Sequence, residues 1–196
     1  QELRGEKVAL PLTRMTYAEA LERYGTDKPD LRFGMEIVDL SEVFAATEFK
    51  AFSSVLGSRG CVRGINGSKL DLSRSGLDAL VSRAQELGAK GLVWMVVEED
   101  GSLRSPIAKF LSDAELAAIK TALDSDVGDT LLIAADDACV VGKVLGQLRL
   151  DIGQPDDNDE LAFAFIVDFP VFDVAEDGGL SPAHHPFTDP GDIETL

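Results

Sequence analysis

Between Met35 and about Gly153 the chain alternates β-branched runs with amphipathic stretches that carry their own start and stop residues, and this pattern constrains the fold more than any other feature. Runs of that composition bounded by turn residues read as strands, and apolar residues at helical spacing behind a capping residue read as helices. The expected strands are Met35 to Asp39, Ala51 to Ser54, Gly60 to Asn66, Leu92 to Val97 and Thr130 to Ala135. Four helices are expected among them. A short one covers Ser41 to Ala46, and Ser75 with Asp78 opens a longer one whose Leu77, Leu80, Val81, Ala84 and Leu87 share a face before Gly88. Ser112 with Glu115 forms a capping box that launches Ala114 to Leu123. Asp136 or Asp137 caps the last, with Val140, Val141, Val144, Leu145 and Leu148 running toward Leu150. Strands that leave one side polar, and helices with one apolar stripe each, are satisfied by an open sheet with helices on one face, an α+β arrangement.

The stretches on either side read differently. Thr16 and Glu19 make a second capping box, a helix from Tyr17 to Arg23 follows, and Gly25 ends it. In Lys28-Pro29-Asp30 the proline denies helix to the residue before it, so the chain leaves extended toward Phe33-Gly34, where a first boundary falls. Gln154 to Glu160 is a polar linker. Beyond it Leu161 to Val167 is apolar on both sides, as in a central strand covered above and below. The terminal segments are expected to be packed less well than the middle, or to lean on it.

Length and charge narrow the function classes. A chain of 196 residues with 45% hydrophobic content can bury one good core or two small ones. Its longest apolar runs fall far short of the roughly 20 residues of a membrane-spanning helix, and a cytoplasmic location is expected. Cys61 and Cys139 lie far apart in Val- and Ala-rich surroundings and are expected to be buried free thiols. The 18 basic and 35 acidic residues give a net charge of -17, which opposes a phosphate backbone, so weak or no tRNA binding is expected of this chain alone. The acids at Asp124 to Asp137 and Asp156 to Glu160 read as solvated loop surface. The nearest thing to a basic patch is Arg59, Arg63, Lys69 and Arg74 around a Gly-rich turn.

Few residues are candidates for chemistry. His184 and His185, the two histidines, sit in Ala183-His184-His185-Pro186-Phe187-Thr188-Asp189-Pro190. Imidazole titrates near neutral pH and offers one donor and one acceptor, so a neighbouring carboxylate can hold it charged. Adjacent histidines on an extended segment point to opposite sides, and no Cys or Asp pair at ligand spacing joins them, so no metal is expected. Asp168, before Phe169-Pro170, can orient a histidine or start the turn. Lys28 alternates with Asp27, Asp30 and Arg32, either as part of a functional loop or as a salt-bridged turn worth at most about 1 kcal/mol per exposed pair. Gly57 to Gly60 and Gly64 to Ser68 lack the phosphate-loop spacing and read as turns; Asn66-Gly67 is a type I′ candidate, and Gly101 closes a hairpin after Asp100. Trp94 reads as core.

Two blocks carry a resemblance. Tyr24-Gly25-Thr26-Asp27-Lys28-Pro29-Asp30 near the start, and Asp168-Phe169-Pro170 with His184-His185-Pro186-Phe187-Thr188 near the end, resemble bacterial aspartyl-tRNA synthetases. The stretch between them is similar in length and pattern to that family's insertion, the GAD domain. The resemblance implies a two-layer sandwich of the DCoH-like type at 35–153, flanked by catalytic-domain segments at 1–34 and 154–196. It implies that His184 lies beside the aspartate substrate with His185 in support, and that Asp168 and Lys28 assist. The parent enzyme would use ATP and Mg²⁺, act on aspartate and tRNA, and form a homodimer. The three class II catalytic motifs are not found here, so this chain by itself is expected to be an inactive monomeric piece. The alternative is a non-catalytic module that binds tRNA or a partner protein, as the same domain does in tRNA-dependent amidotransferases.

Overall fold

A computed structural model describes residues 10–70, 72–153, 161–174 and 178–183. The order of elements is β1 (Thr13–Thr16), α1 (Tyr17–Tyr24), β2 (Val38–Asp39), α2 (Lys50–Gly57), β3 (Cys61–Asn66), α3 (Arg74–Glu86), β4 (Val93–Val97), β5 (Leu103–Arg104), α4 (Asp113–Ala122), β6 (Thr130–Asp136), α5 (Ala138–Ile152), β7 (Ala164–Val167), β8 (Phe172–Val174) and β9 (Leu180–Pro182). Five strands make one antiparallel sheet in the order β2-β3-β6-β4-β5.

The α+β character follows from how the middle strands alternate. On one face Cys61, Ile65, Trp94, Leu132 and Ala134 meet Leu77 and Ala84 of α3 and Val141, Val144, Leu145 and Leu148 of α5. This is the helical face that the amphipathic stripes predict. The alternate residues Val62, Met95, Val97, Leu131 and Ile133 gather a second apolar cluster, with Phe44, Phe52 of α2 and Ile119 of α4. That second side is therefore covered too, by short helices and loops, because β3, β4 and β6 alternate two apolar sets where a polar face was expected. β6 is the central strand, and its Leu131, Leu132 and Ile133 are wholly buried.

The start and stop residues act mostly as read. Thr16 and Glu19 cap α1 reciprocally, as Ser112 and Glu115 cap α4. Asp137 caps α5 by accepting from the Cys139 N–H. Helix α3 begins earlier than expected, with Ser73 accepting from the Gly76 N–H, so the Ser75 and Asp78 pair is not its cap. Gly101 closes the β4–β5 hairpin, with Val97 opposite Leu103.

Other local expectations fail. Ala51 to Ser54 belongs to helix α2, whose Phe52 packs inward with Leu56 beside it; alternation over four residues could not show that 3.6-residue spacing. Ser41 to Ala46 is a run of turns that tucks Phe44 into the core, too short to propagate as a helix. Only Val38 and Asp39 of the first strand pair, and Met35 before them takes a left-handed φ of 64°. Asn66-Gly67 closes no hairpin: β3 pairs with β2 and β6, and the Gly67 N–H donates to Thr130 O at the rim of the sheet. Of the cysteines, Cys61 is buried and free as expected, whereas Cys139 is free but exposed, in the first turn of α5.

The acidic loop is only partly solvent-facing. Asp129 is buried, and its Oδ2 accepts from Asn66 Nδ2 and from the Asp126 N–H, both at 2.9 Å. Asp136 pairs with Lys90 at 2.9 Å. Among the described residues, no helix is long and apolar enough to cross a membrane.

Candidate functional site

The two ends of the described chain come together. β1 and β7 pair in parallel, with Thr13 opposite Ala164 and Thr16 opposite Val167. The pair has no third strand among the described residues; Met15 is buried with Ala20 and Tyr24, and Ile166 packs on them, but Phe165 is 53% exposed, and Leu161, Phe163, Val171, Phe172 and Leu180 in the segments around β7 are exposed as well. Apolar surface of that kind on adjoining elements marks an interaction face. Just past β7, Asp168 takes a left-handed φ of 57° with its side chain exposed, which fits the turn-starting role; Phe169 then lays its ring 5.1 Å from that of Tyr17. The β8–β9 hairpin brings the chain back to Ala183, whose N–H donates to Val171 O. His184 and His185 lie outside the described residues.

Lys28 is on the exposed loop after α1, where its backbone N–H donates to Thr26 Oγ1 at 3.3 Å. The loop is salt-bridged, as one of its two readings had it, and the pair does not include Lys28. Asp30 takes Arg32 in a bidentate contact whose shorter leg is 2.6 Å, and that guanidinium holds the Asp30 carboxyl below its usual range. No hydrogen bond or ion pair joins Lys28 to Asp168 among the described residues.

The loop is fixed from behind by a residue that sequence reasoning missed. Arg149, on α5, is wholly buried. Its Nη2 donates to the carbonyls of Asp30 at 2.6 Å, Phe33 at 2.9 Å and Gly34 at 2.9 Å, and its Nε donates to Gly34 at 3.1 Å. The guanidinium lies 4.2 Å from the ring centre of Phe33 and 4.9 Å from that of Tyr24. Burial pulls its pKa down, and Tyr24, Asp30 and Glu36 oppose that pull. A flat fork with several donors can hold three carbonyls while stacking on aromatic faces, which an ammonium cannot do. The signal in the sequence was one of position, since Arg149 falls four residues after Leu145 on the apolar side of α5.

Two further contacts complete this junction. Glu36 accepts from Arg23 Nε and Nη2 at 2.9 and 2.6 Å and from the Tyr24 hydroxyl at 3.0 Å, so the Arg23 bond above all holds its carboxyl below the ordinary range. Helix α1 crosses α5 at glycines. A Cβ at Gly25, already at φ 70°, would stand 2.0 Å from Gly142 O, and one at Gly146 would stand 2.6 Å from Tyr24 O. Only bare backbone allows that approach.

The four basic residues around the Gly-rich turn do not form one patch. Arg63 is drawn toward Asp39 at 3.7 Å and faces the α1–α5 groove with Leu21 and Gly142. Lys69 lines a separate cleft with Val96 and Arg104, Arg74 lies 5.3 Å over the Trp94 ring, and Arg59 is exposed at the end of α2. Trp94 itself is core.

A family model described as the GAD domain matches residues 52–145, which takes in α2 through most of α5. The middle of the chain is thus similar to a GAD domain. Over nearly its whole length, this middle stretch and its flanks together, the chain is similar to bacterial aspartate–tRNA ligases. The aspartate–tRNA(Asp/Asn) ligase of Bacillus subtilis is 44% identical over 196 residues, 97% of this chain and 33% of that protein. The corresponding ligase of Hydrogenobaculum sp. is 44% identical over 193 residues, 96% of this chain and 32% of that protein. The aspartate–tRNA ligase of Shouchella clausii is 43% identical over 196 residues, again 97% of this chain and 33% of that protein. The chain thus spans about a third of the length of these relatives. Matches of this extent take in the β1–α1 segment and the β7–β9 segment as well as the GAD-like stretch between them.

Proposed function

We propose that this chain is part of an aspartate–tRNA ligase, in which residues 1–34 and 154–196 belong to the catalytic domain and the GAD domain at 35–153 is an accessory without chemistry of its own. The whole protein would activate aspartate with ATP and Mg²⁺ and transfer it to tRNA. The observation that carries this reading is the parallel pairing of β1 with β7, which returns the chain to the same sheet after the GAD domain. An insertion must leave and re-enter its host at neighbouring points, and the side-by-side β1 and β7 support that reading. Phe165 and the exposed apolar side chains of the segments around β7 are then the surface that the remaining two-thirds of such a ligase would bury.

In this reading His184 contacts the aspartate, with His185 in support, and Asp168 and Lys28 are candidate supporting residues. Among the described residues no three carboxylate, imidazole or thiol groups come together as a metal set. No step through ATP or Mg²⁺ is therefore assigned to them. The chain by itself is proposed to be monomeric and to bind tRNA weakly, and the whole protein to be a homodimer in the cytoplasm.

The test is aminoacylation by a polypeptide that extends this chain to the length of its relatives. It should charge tRNA with aspartate, and His184→Ala should raise the KM for aspartate about tenfold or more, the loss of one charged hydrogen bond, with the KM for ATP nearly unchanged. The chain alone should catalyse no aspartate-dependent exchange of pyrophosphate into ATP. Exchange by the chain alone, or an unaltered aspartate KM in the variant, would overturn the proposal.

A further inference from the structure

The sequence holds no block in which basic and aromatic residues alternate, but the fold assembles one from two distant dipeptides. Phe49-Lys50, at the start of α2, and Lys109-Phe110, in a one-turn 3-10 helix (Ala108–Phe110) before α4, meet with the Phe49 and Phe110 rings stacked 6.1 Å apart at 18°. Phe110 is 55% exposed. It is also the outermost of four rings in contact: Phe49 packs edge-on against Phe52 at 5.0 Å, and Phe52 against Phe44 at 4.7 Å, both of the last two buried. The exposed ring is therefore tied to the core through the half-buried Phe49 and the buried Phe52 behind it. An aromatic face held in that way has lost part of the rotamer freedom that binding would otherwise remove.

The charges beside it are free. Lys109 Nζ lies 4.9 Å from the centre of the Phe110 ring, and among the described residues neither Lys109 nor Lys50 is paired with a carboxylate. Glu48, Phe49, Lys50, Lys109 and Phe110 line a cleft of about 500 Å³. Phe49 and Lys50 also border a longer groove that runs along α2 over Val93 and Ile133 to Lys90. In a chain of net charge -17, two unpaired lysines flanking an exposed ring form a local exception.

Stacking surface flanked by cations is the chemistry of single-stranded nucleic acid, in which bases lie on aromatic faces and lysines take the phosphates. An acidic amphipathic helix would meet the lysines and lay aliphatic side chains on Phe110, but only a planar group stacks face to face on the ring as a base does. We propose that Phe110, with Phe49, Lys50 and Lys109, is a contact platform for an unpaired stretch of RNA. The identity of the partner rests on the ligase reading, in which the RNA is the unpaired part of a tRNA.

The test is fluorescence anisotropy of this chain with a short, labelled, unstructured RNA at low and moderate salt, with near-UV circular dichroism to confirm that each variant is folded. Binding should be weak and steeply salt-dependent. Phe110→Ala should weaken it about tenfold and Phe110→Trp should preserve it, as expected for a stacked base. Lys50→Ala with Lys109→Ala should reduce the slope of log Kd against log salt by about 1.4, two phosphates' worth on a single strand. Lys69→Ala with Arg74→Ala should change the affinity less than about twofold, since those residues lie elsewhere. RNA binding that is absent, that survives Phe110→Ala intact, or that is lost instead on changing Lys69 and Arg74 would overturn the proposal, as would tighter binding of an acidic peptide at the same residues. Failure here is separable from failure of the ligase reading. If the extended polypeptide charges tRNA while Phe110→Ala leaves the KM for tRNA unchanged, the ligase stands and the platform falls. If it does not charge tRNA, the ligase reading falls whatever the short RNA does.

Discussion

Replacing Arg149 with methionine keeps most of the side-chain volume and removes every donor. The carbonyls of Asp30, Phe33 and Gly34 then lose the partner that all three share. Leaving a buried acceptor unmade costs roughly 1–3 kcal/mol, so three of them set an upper bound of roughly 3–9 kcal/mol. Against this stands relief from burying a guanidinium that touches no carboxylate, a penalty of several kcal/mol after relaxation. The rings of Phe33 and Tyr24 also keep an apolar neighbour. The difference points to a net loss of about 3 kcal/mol, or about 6–12 °C in Tm for a domain of this size. Arg149→Lys should recover less than half of it, because one ammonium cannot span three carbonyls and stacks poorly. The assay is thermal unfolding together with hydrogen exchange. The amides of residues 30 to 36 should exchange faster in Arg149→Met by at least tenfold, while those of β3 and β6 keep their protection. A variant as stable as the parent, with unchanged exchange at 30 to 36, would show that the arginine fixes nothing.

Other contacts of the same region make separate predictions. Gly146→Ala places a Cβ 2.6 Å from Tyr24 O and should cost about 1–3 kcal/mol in denaturant unfolding, as helix α1 is pushed off α5; an unchanged midpoint would mean that the two helices have room to part. Glu36 has its folded pKa depressed chiefly by the Arg23 bond, so the stability it contributes is present above the ordinary carboxylate range and is lost as pH falls through the folded value. Glu36→Gln should accordingly flatten the acid limb of the stability profile, and a variant with the parent's pH dependence would remove that assignment. Ser112→Ala removes half of the α4 capping box and should cost about 1 kcal/mol, read as a lowered urea midpoint with an unchanged slope.

The parts of the fold that were legible in the sequence are those set by neighbours along the chain. The capping boxes at Thr16 and Ser112, the stop at Gly25 and the hairpin at Gly101 are each decided within a few residues, and each is found as read. Ala51 to Ser54 went the other way because its partners, Phe44 and Val62, come from elsewhere in the chain. The same reason hid the second covered face of the sheet, since a run such as Leu131 to Ile133 does not say which of its neighbours will bury it. At the junction, the alternating charges of Asp27, Lys28, Asp30 and Arg32 left open which of them pair. Asp30 takes Arg32, and the residue that holds the loop comes from the far end of α5. Arg149 carried one clue, a cation on an apolar stripe, but its three carbonyl partners exist only once the loop has folded. The motif at His184 and His185 tied the chain to its relatives; the geometry of that pair lies outside the described residues.

All of the functional reading depends on β1 and β7 lying side by side in the stated register, and a cross-strand disulfide tests this most directly. Arg14 and Phe165 are opposite each other, with the guanidinium 5.7 Å from the ring centre, so their side chains share a face. With Cys139 changed to Ser to remove the exposed native thiol, the pair Arg14→Cys and Phe165→Cys should oxidise to an intramolecular bond in most molecules. Peptide mapping should recover it as a linked species, and Arg14→Cys with Val167→Cys should give little. Failure of the first pair to link, or equal yields from both, would mean that the two segments do not meet in this sheet and that the chain is not an insertion returning to its host.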